Sequence, residues 1–104
     1  MNGEPSDAEL LRRLDHDAEA LRGFYLRHVG AVTRFLARRC RTPEDLADAV
    51  AQTFVEVIGS APRYDAARGD ATAWLFGIAA HIASAQWREQ QRTAGIAAAV
   101  SSRA

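Results

Sequence analysis

Cysteine is almost absent: Cys40 stands alone among 104 residues, so no internal disulfide forms and the fold needs no oxidising compartment. No N-terminal apolar stretch of signal type and no apolar run long enough to cross a membrane is present, so the chain reads as soluble and cytoplasmic. Histidine is scarce and scattered. His16, His28 and His81 lie far apart, none in a metal-ligand spacing such as His-Glu-x-x-His, and no metal or other cofactor is expected. Cys40 lies between Arg39 and Arg41, which favours a lowered thiol pKa, but no base is placed beside it and no enzyme is expected.

What is present suits a small helical domain. A chain of this length buries about 65% of its unfolded surface on folding, enough for a modest core. Segments between turn signals are long and hydrophobic content is ordinary at 48%, which favours an all-α fold: a compact bundle of three to four helices.

The formal net charge of zero conceals a segregation. Residues 1–20 carry Glu4, Asp7, Glu9, Asp15, Asp17 and Glu19 against only Arg12 and Arg13. Residues 21–41 carry Arg22, Arg27, Arg34, Arg38, Arg39 and Arg41 with no acid at all. Residues 42–60 reverse again through Glu44, Asp45, Asp48 and Glu56. Alternating blocks of this kind suit helices that attract one another or that present charged faces to partners.

Punctuation divides the chain. Met1 to Ser6 is polar and expected to be loose, and Ser6 or Asp7 suits the cap of a short helix reaching Leu14, so residues 1–16 read as an N-terminal segment. Residues 17–40 have helical apolar spacing through Leu21, Phe24, Tyr25, Val29, Val32, Phe35 and Leu36, with Gly23 and Gly30 suggesting a bend or break. In "RTPEDLADAVAQTFVEVIGS", Thr42 is an N-cap, Pro43 suits the first helical position, and Asp45 stands where its carboxylate can return a capping bond. Leu46, Val50, Phe54, Val57 and Ile58 form the apolar stripe, and Gly59 is the expected stop. "GSAPRYDAARGD" is a loop, and Asp70 caps a last helix. The main domain is expected over 17–92, with 93–104 a linker or frayed extension.

Two helices have a second face. Asp45, Asp48, Gln52 and Glu56, spaced by three, four and four, share one stripe of acceptors on a helix that carries no cation, which suits a basic partner. On the last helix a wheel centred on Trp74 gathers Ile78, Ile82 and Ala85 as the buried face, with Leu75 and Ala79 at its border. Phe76 and Trp87 fall on the far side with Ala80, His81, Ser84, Arg88 and Gln91. Small residues there admit a flat base, aromatic faces stack bases for about 1–3 kcal/mol each, and arginine meets phosphate. Packing of those aromatics against another helix explains the same periodicity.

From Asp17 to Arg92 the sequence resembles the second conserved region of bacterial RNA polymerase sigma factors of the extracytoplasmic-function group. The resemblance rests on "TPEDLADAVAQTFVEVI", with its acidic pair, Asp-Leu and Gln-x-x-Phe, and on "YDAARGDATAWLFGIAAHIASAQWR", with Tyr-Asp, a short loop, Ala-Trp-Leu, Ile-Ala and a terminal aromatic followed by arginine. It implies that the helix at 43–58 docks on the clamp helices of the largest subunit of core RNA polymerase, with Asp45, Asp48, Gln52 and Glu56 facing it. It implies equally that Arg63, Tyr64, Asp65 and Arg68 in the loop, with Phe76, Ala80, His81, Ser84, Trp87, Arg88 and Gln91, hold the non-template single strand of the minus-ten promoter element and stabilise the melted DNA. An anti-sigma factor that covers these surfaces is a further implied partner, whereas a membrane is not.

The sequence departs from the family's pattern at several of these positions. His81 stands where asparagine is usual, Ala80 where arginine is common, Ala85 where aspartate is common, and Glu89 interrupts a basic run. Between Arg63 and Arg92 four arginines face three acids, so phosphate attraction is weak and the domain alone is expected to bind DNA poorly. Nothing after Arg92 resembles the helical domain that reads the minus-thirty-five element in relatives, and an excised domain is the favoured explanation, a natural one-domain relative the other. The competing reading is a helical interaction module, an adaptor or a decoy for the polymerase clamp, that shares the acidic stripe but makes no DNA contact.

Overall fold

Four α-helices joined by short connections make up the chain in a computed structural model that describes residues 3–103. α1 spans Asp7–Arg13, α2 Ala18–Ala37, α3 Pro43–Ser60 and α4 Ala71–Arg103, with short 3₁₀ turns at Ala61–Arg63 and Ala66–Arg68 between α3 and α4. Among the described residues there is no strand, and no helix is long and apolar enough to cross a membrane. The all-α bundle is therefore as expected; Met1 and Asn2, expected to be loose, lie outside the described residues, as does Ala104.

Each helix starts where the sequence supplies an acceptor for otherwise unpaired backbone N–H groups. At α1 the Ser6 hydroxyl accepts from the Glu9 N–H at 3.1 Å while the Glu9 carboxylate accepts from the Ser6 N–H at 2.8 Å, a reciprocal pair. That bond to the backbone is the main reason the Glu9 carboxyl lies below its ordinary pKa. Asp17 caps α2 through the Glu19 and Ala20 N–H groups, Thr42 caps α3 at 3.0 Å from the Asp45 N–H, and Asp70 caps α4 at 2.7 Å from the Ala73 N–H. The Asp45 carboxylate does not return a bond to its cap; it turns to α4. Gly59 does not end α3, which runs on through Ser60 into the first 3₁₀ turn. Gly23 and Gly30 do not break α2 either, because burial of Phe24, Val32 and Leu36 outweighs the cost of about 1 kcal/mol per helical glycine.

The N-terminal segment belongs to the same core. α1 buries Leu10 and Leu11, with Leu14 just beyond, against the rest of the bundle. Asp7 fastens it, accepting from Arg27 Nη1 at 2.8 Å and lying 2.9 Å from His28 Nε2, while His28 rests on Phe24 with ring centroids 4.6 Å apart. Phe24, Leu36, Leu75, Val32, Val57 and Thr53 are the largest fully buried side chains. The Thr53 hydroxyl is satisfied there by donating to the Ala49 carbonyl at 2.7 Å.

α4 departs from its wheel. Its buried line is Ala71, Leu75, Ala79 and Ala83, four residues apart, while Trp74, Ile78 and Ile82 flank that line half-buried. A wheel centred on the bulkiest residues suits a helix resting on one neighbour; α4 packs against both α2 and α3, so its midline is alanine apart from Leu75, and Trp74, Ile78 and Ile82 flank it. The second difference lies past Arg92. In place of a frayed extension the helix continues to Arg103, every residue from Gln91 to Arg103 exposed, and the described residues measure 68 × 24 × 23 Å. Alanine has the best helix propensity, and a segment extending a helix already formed needs no new nucleus.

Candidate nucleic-acid interface and docking face

The connection between α3 and α4 folds into a concave loop. Arg63, Tyr64, Asp65, Arg68, Gly69, Asp70, Ala73 and Trp74 line an open cavity of about 390 Å³. Its backbone is fixed by short-range bonds: Asp65 accepts from the Ala67 N–H at 3.0 Å, and the Tyr64 hydroxyl donates to the Gly69 carbonyl at 3.0 Å. Gly69 has φ +154°, a conformation that side-chain-bearing residues rarely adopt. The Tyr64 ring meets Trp74 at 5.3 Å between centroids, tilted by 57°, so one side of the cavity is aromatic and its rim carries Arg63 and Arg68. Trp74, expected in the core, packs half-buried against it and also walls this cavity.

Farther along α4 lies a second concavity. Arg39, Ala80, Ala83, Ser84, Trp87 and Arg88 line a cleft of about 430 Å³. Trp87 is 52% exposed, as its far-side position required. Phe76 is not its partner in exposure: its ring is half-buried and packs edge-on against Phe35 of α2, centroids 5.1 Å apart at 67°. Packing of that aromatic against another helix is therefore what the fold uses it for, and the expectation of an open Phe76 face is corrected. His81, Ser84, Arg88 and Gln91 are exposed and Ala80 half-buried, so the remainder of the predicted face is accessible. Arg92 donates from Nε and Nη2, one edge of its guanidinium, to the two carboxylate oxygens of Glu89, at 3.2 and 2.6 Å, and Arg88 is left out of the pair; the same contact lowers the Glu89 pKa and raises that of Arg92.

The acidic stripe of α3 divides in two. Asp45 is half-buried and bound to α4: its carboxylate accepts from Gln90 Nε2 at 2.8 Å and its carbonyl from Gln86 Nε2 at 2.9 Å. Asp45, expected as a docking contact, is an internal tie in the fold. Glu56 accepts from the Ser60 hydroxyl at 2.7 Å, and Ser60 in turn accepts from Arg63. Asp48 and Gln52 are exposed, and with Val55 of α3 and Ile82, Ala85 and Gln86 of α4 they border a groove of about 580 Å³. Sequence reasoning missed the α4 side of this groove, whose signal is the spacing of 82, 85 and 86. It also missed Arg39, whose only signal is its place in the arginine block.

Cys40 does not have the lowered thiol pKa that its flanking arginines favour. Burial, and secondarily the Asp45 carboxylate, push its thiol pKa up. The flanking arginines do not offset this, since the Arg39 guanidinium turns back over the Phe35 ring, 3.7 Å from its centroid.

The residues that form the loop, the cleft and the groove all fall within one stretch that a family model matches. The sigma-70 region 2 model covers residues 24–93, about two thirds of the chain. The chain belongs to the sigma-70 region 2 family. Among curated proteins and solved structures, nothing matches it. As a region 2 domain it serves in transcription initiation, in a family of non-enzymatic factors whose partners are RNA polymerase and promoter DNA.

Proposed function

We propose that this region 2 domain is of the extracytoplasmic-function group and opens the minus-ten element by capturing an unpaired non-template base in the loop cavity. The observation that carries this reading is the cavity itself: an aromatic side from Tyr64 and Trp74, hydrogen-bonding carboxylates at Asp65 and Asp70, and arginines at the rim. A base held there cannot re-pair, and its binding energy offsets strand separation. Arg63 and Arg68 take the adjoining phosphates; His81, one turn or more along α4, reads an adjacent base; Trp87 and Gln91 continue the track. Docking on the clamp helices of core polymerase uses the Asp48 and Gln52 groove, whose acceptors suit a basic partner. An anti-sigma factor that covers either surface would hold the domain inactive in the cytoplasm.

The test uses the domain assembled with core polymerase on promoter DNA carrying 2-aminopurine at successive non-template positions. Fluorescence is expected to rise at one position as that base leaves the stack, and Tyr64→Ala to abolish the rise without loss of polymerase binding. A rise that survives Tyr64→Ala removes this cavity from the mechanism. Asp48→Arg with Gln52→Arg is expected to prevent capture by core polymerase; retained capture counts against the groove.

A further inference from the structure

We infer that the cleft between α2 and α4 is a second nucleotide subsite, in which Arg39 and Arg88 hold the backbone phosphates of a nucleotide whose base lies on Trp87. This rests on the proposed single-strand binding by α4 and extends it to Arg39, two residues past the end of α2, which the reading above leaves without a ligand.

The cleft has the composition such a unit requires. One wall is the half-exposed indole of Trp87, the floor is Ala80 and Ala83, and the Ser84 hydroxyl stands beside them. The alanines let a flat ring approach the helix closely, and the indole supplies a stacking face that every base can use. No carboxylate lines the cleft, and neither Arg39 nor Arg88 takes part in the ion pairs of the described residues. Two unneutralised cations beside an exposed aromatic favour an anionic, flat ligand over an apolar peptide.

Arg39 is also aimed in advance. Its guanidinium stacks on Phe35 at 3.7 Å and one N–H donates to the Phe35 carbonyl at 3.0 Å, while Phe35 is itself braced by the edge of Phe76. Of the five guanidinium N–H groups, four remain for a phosphate. A side chain ordered before its ligand arrives loses less freedom on binding. The cleft shares no residue with the loop cavity. Trp74 and Trp87, one at each site, are thirteen residues apart, about 20 Å along α4. One strand fills both only by running along that helix.

The experiment measures binding of the domain and core polymerase complex to forked promoter DNA across a salt series. Arg39→Gln is expected to weaken binding by about tenfold and to lower the salt slope by about 1, with Arg39→Lys keeping the slope. A single uncharged methylphosphonate in the non-template strand should, at one position, weaken the native complex but not the Arg39→Gln complex. An unchanged salt slope in Arg39→Gln, or a penalty equal at every phosphate position, overturns the subsite, because a packing role for Arg39 would shift thermal unfolding without choosing a phosphate. If Tyr64→Ala weakens binding and Arg39→Gln does not, the second subsite fails alone. If neither does, the single-strand reading fails and the subsite with it.

Discussion

Asp45 shows how one side chain changes role between sequence and structure. On a wheel it belongs to the acidic stripe; in the fold its carboxylate accepts from Gln90 and its carbonyl from Gln86, joining the start of α3 to α4. A half-buried hydrogen bond to a charged group is worth about 1.5–3 kcal/mol. Gln90→Ala is therefore expected to destabilise the domain by about 1–2 kcal/mol in denaturant unfolding, whereas Asp48→Arg, on the exposed remainder of the stripe, should stay within about 0.5 kcal/mol. Equal effects would mean that Asp45 and Asp48 belong to one solvated face after all. The caps at Ser6, Thr42 and Asp70 were legible because a cap is satisfied within three residues of itself. Asp45 was not, because its partner is 45 residues away.

At the level of elements, legibility follows the number of neighbours. Helix existence and starts followed from spacing and caps, but the depth of α4 depends on two flanking helices, so Leu75 and Ala79 moved from the border of the wheel to its centre. Phe76 moved with them, toward Phe35. Arg39 entered the cleft because α2 ends beside α4, a proximity that no local pattern encodes. The loop between α3 and α4 is the element most exposed to a single change. Gly69→Ala forces a side chain into φ +154°, at a cost of about 1–3 kcal/mol, and should displace the carbonyl that Tyr64 binds. Promoter opening, read by permanganate reactivity of unpaired thymines, is expected to fall while capture by core polymerase is unchanged. Normal opening would show that the loop adopts its binding shape only with DNA present.

For the whole molecule, stability and length are decoupled. The core is complete by Gln90, and the residues from Gln91 to Arg103 are helical but bare. Truncation after Arg92 is expected to reduce the helical circular-dichroism signal while shifting unfolding free energy by no more than about 0.5 kcal/mol. A larger loss would mean that the extension folds back on the bundle in solution. Charge is arranged on the same scale: the arginine block of residues 21–41 lies between acidic blocks in the sequence, and Arg27 pairs with Asp7 and Glu4, so little net attraction to DNA is left over.

The bare end of α4 has a mechanical consequence. Gln90 is the last residue of that helix fastened to the bundle, and thirteen residues follow it to Arg103, an arm of about 20 Å. With its pivot at the Asp45 tie, a rotation of about 10° carries the tip through about 3.5 Å. Any small reorientation of α4 about that tie is thereby magnified at the far end, where a probe attached near Arg103 would register movements too slight to detect at Trp87.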